Sequence, residues 1–314
     1  MRVLVTGGAG YLGSVLSEHL LAAGHSVTCL DNLSLGQSGP FHLCANDRYD
    51  FVRGDARDEA LLTRLLPTVD AIIPLACVVG APACQRDPWM AQTVNQDAIA
   101  LLNRLRSKQQ LVVFPTTNSG YGAKGGSRHC SEETPLEPIS LYARTKVDAE
   151  AALLQRPGVV TLRLATAFGM SPRMRLDLLV NDFVHRAMTD GYLVVFEKDF
   201  RRNFLHVRDV ADCVAYCLSN HERMVGRCYN VGLDEANLSK GELAERIKRQ
   251  LPRLVVHHSE VGSDPDKRDY IVSNQRLREA GFIARRGLDD GITELIKGCR
   301  MLSGRPFTNL RGAR

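Results

Sequence analysis

The chain has 314 residues, 44% of them hydrophobic, and a formal net charge of +5. That length and composition suit one large α/β domain or a two-part enzyme with a sizeable core, and exclude a disordered or fibrous chain. The mild, scattered positive charge lacks the dense basic stripe of a nucleic-acid binder and favours an anionic small molecule, and no apolar run approaches membrane-spanning length.

Nine cysteines, an odd number without metal-type spacing, read as reduced thiols, and no metal is expected. No leader-like segment precedes the first strand-like run, so the expectation is a cytoplasmic protein.

The chain opens on an apolar run, Arg2–Thr6, that meets Gly7, Gly10 and Gly13 and passes directly into an amphipathic segment, Tyr11–Ala23. Glycines spaced in this way between a strand and a helix permit a tight turn, backbone approach to a pyrophosphate, and close helix–strand packing. The amides opening the helix then face the phosphates. The next strand, Ser26–Leu30, is closed by Asp31, placed to hold an adenosine ribose hydroxyl pair. Asn32 follows with no nearby arginine. A 2′-phosphate would face a carboxylate there, so NAD is expected over NADP.

Further strand-like runs at Tyr49–Val52, Ala71–Pro74, Leu111–Phe114 and Val159–Leu164 alternate with helix-like runs at Glu59–Leu66, Met90–Ser107 and Leu141–Leu154. Alternation with near-continuous apolar strands predicts an α/β fold with a Rossmann-type, doubly wound parallel sheet. After about Thr166 the pattern loosens. Helices are predicted at Leu176–Thr189, Lys240–Gln250, Asn274–Ala280 and Leu288–Leu302, and strands returning to the first domain at Phe204–Val207 and Arg227–Val231. The expected division is a cofactor domain of residues 1–165, with segments 204–231 and 288–302 returning to it. Residues 166–203 and 232–287 form a smaller substrate-binding lobe. Residues 303–314 read as a loose tail.

Tyr142 and Lys146, four apart at the start of a helical run, project from one face. An adjacent ammonium and an oxidised nicotinamide would lower the phenol pKa and make Tyr142 a usable base near neutral pH. Upstream, the strand Leu111–Phe114 ends in a hydroxyl-rich stretch containing Thr116, Thr117 and Ser119, where a hydroxyl can bond the reacting sugar oxygen.

Together these motifs resemble the extended short-chain dehydrogenase/reductases, and among them the NAD-dependent nucleotide-sugar epimerase/dehydratase family, from residue 1 to about 302. The resemblance implies that Gly7, Gly10, Tyr11, Leu12 and Gly13 form the phosphate loop, and that Asp31, Asn32 and Ser34 meet the adenosine ribose. It implies that Asp55 and Ala56 meet the adenine, and that Leu75 and Ala76 lie beside the nicotinamide. Asn95 resembles a residue near the cofactor, and reads equally as a buried polar anchor. Thr117, Tyr142 and Lys146 match the catalytic triad. Arg202 matches the arginine that contacts the substrate's pyrophosphate. The segments Met90–Ser107 and Leu141–Leu154 match those that pair in a homodimer.

The stretches Arg173–Phe183 and Asp264–Tyr270 further resemble a subgroup that oxidises C4 of GDP-linked heptoses or epimerises C4 of related long-chain nucleotide sugars. Arg173, Arg175, Arg202 and Arg268 are guanidinium forks suited to a diphosphate. Departures from the wider family bear on the reaction. Sugar 4,6-dehydratases carry an Asp-Glu pair after the catalytic hydroxyl residue; here Asn118 and Ser119 stand there, and neither ionises. Ser119 also replaces the cysteine of 3,5-epimerising relatives. Thr166 stands where the family's Arg-x-x-Asn segment has Asn, which leaves Asn181 to share in holding a substrate phosphate. The expected activity is that of an NAD-dependent nucleotide-sugar 4-epimerase working through a transient 4-ketone on a GDP-heptose or GDP-octose. The alternatives are a GDP-sugar 4-dehydrogenase that releases the ketone and a non-catalytic dinucleotide sensor.

Overall fold

Strand β1 (Arg2–Thr6) lies between β2 (Ser26–Asp31) and β4 (Ala71–Pro74), parallel to both, in a computed structural model that describes residues 1–36, 39–123, 129–260 and 269–302. Outward on one side stands β3 (Tyr49–Arg53). Outward on the other stand β5 (Leu111–Thr117), then Val159–Leu164, then Arg227–Val231. All seven are parallel. The strand order reverses beside β1, so the loops after β1 and β4 diverge and open a crevice at the carboxyl edge, where α/β sheets bind ligands.

Both faces of this sheet are buried. Val3 and Val5 pack into one hydrophobic cluster while Leu4, between them, packs into the other with Ile72, Val112 and Phe114. The two-residue period of a strand sends alternate side chains to opposite faces. Continuous apolar strands of this kind are what a helix-covered parallel sheet requires.

A second, three-stranded sheet joins Thr166–Phe168, Arg201–His206 and Asn237–Ser239. The predicted strand Phe204–Val207 therefore pairs here and not in the large sheet. The helix that follows it, Val207–Ser219, returns to pack on Tyr11–Ala22. The predicted helix Met90–Ser107 is three pieces: Pro88–Gln92, a π-helical turn Thr93–Asp97, and Ala98–Leu105. The helix predicted from Leu176 begins at Leu179; residues 171–178 before it run through bends and a turn, and Arg173, Arg175, Asp177 and Leu178 among them line the crevice.

Candidate active site

A cleft of about 560 Å³ lies at the carboxyl edge of the large sheet. At one end it is lined by Gly7, Gly10, Tyr11, Leu12 and Gly13. The glycines here are dictated by space. A Cβ on Gly7, whose φ is +72°, would meet the Ala76 amide nitrogen at 2.6 Å. A Cβ on Gly13 would stand 2.5 Å from the Gly7 carbonyl oxygen. The result is a bare backbone cradle at a helix N-terminus, which fits a dinucleotide pyrophosphate.

Asp31 braces this cradle. Its carboxylate accepts from the Ala9 amide at 3.0 Å and the Leu33 amide at 2.8 Å. Leu33 is held in the left-handed region, with φ of 55°. Asn32 accepts from the Ser34 amide at 2.9 Å and donates to Asp55 at 3.2 Å. Asp55 in turn accepts from Arg57 through Nε at 2.9 Å and Nη2 at 2.8 Å. Those guanidinium bonds pull the Asp55 pKa down to about 2. Asp31, Asn32, Ser34, Asp55 and Ala56 all line the cleft.

At the other end Thr117 closes β5. Its hydroxyl donates to the Ser119 hydroxyl at 2.9 Å and accepts from the Ser119 amide at 3.1 Å. The helix Leu141–Leu154 starts at Ser140, whose side chain caps it by accepting from the Ala143 amide at 3.2 Å. This cap sets Tyr142 and Lys146 one turn apart in the first half of the helix, and both line the cleft with Thr117. The Lys146 ammonium sits 3.9 Å from the centroid of the Phe114 ring. Burial lowers the Lys146 pKa, while the nearby Cys77 and Glu150 act against that shift. Leu75, Ala76 and Cys77 complete this end. Burial raises the Cys77 thiol, so it rests as the protonated form.

Thr166, Arg173, Arg175, Ser119 and Arg202 line the same cleft. Arg173 and Arg202 are each 4% exposed. Arg175 makes a two-pronged ion pair with Asp177, at 3.2 and 2.6 Å. Sequence reading did not find Asp177 or Arg57; each lies two residues from the group it pairs with, which is the only signal available.

Three expectations need correction. The amide of Asn95 does not line the cleft; its Oδ1 accepts from the Val78 amide at 2.8 Å and its Nδ2 donates to the Val78 carbonyl at 3.0 Å. Asn95 acts through the loop after β4 because the π turn rotates it inward. Asn181 is fully buried, accepting from the Gly169 amide at 3.0 Å and donating to the Arg175 carbonyl at 2.9 Å. Its hydrogen-bonding capacity is committed inside the protein, away from a phosphate. Asn118, at the start of the short 3-10 turn Asn118–Tyr121, is 2% exposed and is not among the residues lining the cleft. Tyr11 lines the cleft within the glycine loop, and its phenol donates to the Gly169 carbonyl at 2.7 Å. Arg268 lies outside the described residues.

Residues 3–232 match the NAD dependent epimerase/dehydratase family. The chain belongs to that family. It is 38% identical over 159 residues to a UDP-glucose 4-epimerase of Mycolicibacterium smegmatis, a match that covers 49% of this chain and 50% of that protein. The match to an uncharacterized UDP-glucose epimerase of Bacillus subtilis is 30% over 249 residues, covering 74% of this chain and 77% of the other. Among solved structures, Thermus thermophilus UDP-glucose 4-epimerase in complex with NAD superposes with a TM-score of 0.82 at 25% identity, covering 96% of this chain and 99% of that one. The protein is thus an NAD-dependent enzyme of the nucleotide-sugar epimerase/dehydratase family with the Rossmann-type sheet of its relatives. Among the described residues no helix is long and apolar enough to cross a membrane, and no group of three or more His, Cys, Asp or Glu is placed to hold a metal ion.

Proposed function

We propose that this family member is a nucleotide-sugar 4-epimerase in which Thr117, Tyr142 and Lys146 act on the C4 hydroxyl. The observation that carries the reading is their convergence, from a strand end and a capped helix, on one cleft with the glycine cradle. Tyr142 removes the C4 hydroxyl proton and later returns it. Thr117 orients the C4 oxygen, and its bond to Ser119 fixes the hydroxyl direction. Lys146 holds the nicotinamide ribose and supports charge on Tyr142. The glycine cradle and Asp31 would hold NAD, which would supply reversible hydride transfer at C4. Asn118 and Ser119 cannot ionise, so the elimination that a 4,6-dehydratase performs has no acid or base here.

The substrate is proposed as a nucleoside diphosphate sugar whose phosphates meet Arg173 and Arg202. The stretch Arg173–Phe183 supports a GDP-linked heptose or octose. The relatives named above are UDP-glucose epimerases, which favours uridine instead. The working unit is proposed as a homodimer formed through Met90–Ser107 and Leu141–Leu154, and its compartment as the cytoplasm. Light scattering at micromolar concentration checks the first of these; a monomer defeats it.

The test incubates the protein with GDP-, UDP- and dTDP-sugars and follows the C4 proton by NMR together with NADH fluorescence. Inversion at C4 without free NADH is the expected outcome. Stoichiometric NADH or a released 4-keto sugar, without inversion, replaces the epimerase by a 4-dehydrogenase. No turnover of any sugar by a protein that binds NAD shifts the reading to a dinucleotide sensor.

A further inference from the structure

Tyr11 is the first residue of the helix whose N-terminal amides face the pyrophosphate position. It is also the residue through which that helix is tied to the substrate side of the cleft. Its phenol donates to the Gly169 carbonyl at 2.7 Å and accepts from Asn181 Nδ2 at 3.4 Å. Its own carbonyl accepts from the Ser171 hydroxyl at 2.7 Å. The partners lie 158 to 170 residues away in sequence.

From there the bonds continue to the arginines. Asn181 receives the Gly169 amide and donates to the Arg175 carbonyl. The Arg173 amide donates to the Ser171 hydroxyl at 3.3 Å. Gly169 cannot be replaced at this junction: its φ is +112°, and a Cβ would meet His206 Nε2 at 2.5 Å. Every bond in the chain is buried or part-buried, where leaving a partner unmade is costly. The arm that carries Arg173 and Arg175 is therefore referenced to Tyr11, and Tyr11 to the phosphate cradle.

We infer that Tyr11 is a positioning residue that couples cofactor binding to substrate binding: NAD in the cradle fixes Tyr11, and Tyr11 fixes the Gly169–Arg175 arm for the substrate's diphosphate. The inference rests on the nucleotide-sugar reading above. Reciprocity then requires the nucleotide to raise NAD affinity by the same factor, and couplings of this kind typically amount to roughly 5-fold to 150-fold.

The experiment measures binding of UDP, dTDP and GDP by calorimetry to NAD-free and NAD-loaded protein, for wild type and Tyr11→Phe. Phenylalanine keeps the ring and removes the hydroxyl. Wild type is expected to bind its preferred nucleoside diphosphate at least about fivefold more tightly with NAD present, and Tyr11→Phe less than twofold more tightly. A residue that merely props up the arm would lower affinity equally in both forms and leave that ratio unchanged. Asn181→Ala breaks the same chain one bond further on and is read in the same way should Tyr11→Phe fail to fold. An unchanged ratio in the folded variant, or wild-type binding indifferent to NAD, overturns the coupling. Binding of none of the three nucleotides by wild type defeats the nucleotide-sugar reading instead.

Discussion

Asn95 closes both hydrogen-bonding ends of the Val78 peptide, taking its N–H at 2.8 Å and giving to its C=O at 3.0 Å. The same Nδ2 reaches Thr145 Oγ1 at 3.4 Å, on the helix of Tyr142 and Lys146. The loop from Leu75 to Gly80, which lines the catalytic end of the cleft, is thereby fastened to the catalytic helix. Asn95→Ala leaves the Val78 carbonyl with the Cys84 thiol, 3.1 Å away, but removes the acceptor for its amide. The expected cost is about 1–2 kcal/mol, read as a lowered thermal midpoint together with a fall in kcat. A midpoint and kcat equal to wild type would show that the loop holds its shape unaided.

Tyr142→Phe removes the proposed proton acceptor and leaves the cleft walls intact. Turnover is expected to fall by roughly 100-fold to 10,000-fold, the range typical of general acid–base groups. Calorimetric NAD affinity should stay within about twofold of wild type. Near-normal turnover would remove Tyr142 from the mechanism.

Asp31 places a carboxylate at the edge of the adenosine end, braced by two amides. Two like charges meeting there cost several kcal/mol at a part-buried site, so NAD should bind at least ~10-fold more tightly than NADP. In Asp31→Asn an acceptor remains and the charge is gone, and the preference should narrow. Equal affinity of the wild type for both cofactors would contradict the assignment.

Asp55 titrates at about 2 in the fold, below its ordinary 3.8, chiefly through its bonds to Arg57. A depressed carboxylate pKa means the unfolded chain binds the proton first as pH falls. The stabilisation from this pair is therefore complete above about pH 5 and is lost as pH falls toward 2. Chemical denaturation of wild type and Asp55→Asn should show a stability gap that is flat from neutrality to about pH 5 and closes below it. A gap that stays constant to pH 3 would show that the charge on Asp55 contributes nothing.

Local signals in the chain were sufficient for the parallel sheet, the glycine cradle and the Tyr142–Lys146 face. Each depends on short-range rules: strand period, helix spacing, and the backbone freedom of glycine at Gly7 and Gly13. What the sequence could not show is where a polar side chain spends its hydrogen bonds. Asn95 and Asn181 look like ligand contacts from type and position, and nothing local marks where the Tyr11 phenol bonds. Each is instead committed to backbone groups inside the protein, from 6 residues away for Asn181 to 158 for the Tyr11 phenol. The π turn at Thr93–Asp97 rotates Asn95 out of the helical register that its spacing implies. The strand Arg201–His206 pairs in parallel with Thr166–Phe168 across a crossover that includes the helix Leu179–Thr189, a long-range pairing with no period to read. A sequence by itself determines which groups are present and how neighbours along an element point. Only tertiary structure decides which buried donor meets which acceptor, because burial forces each to find a partner wherever packing brings one.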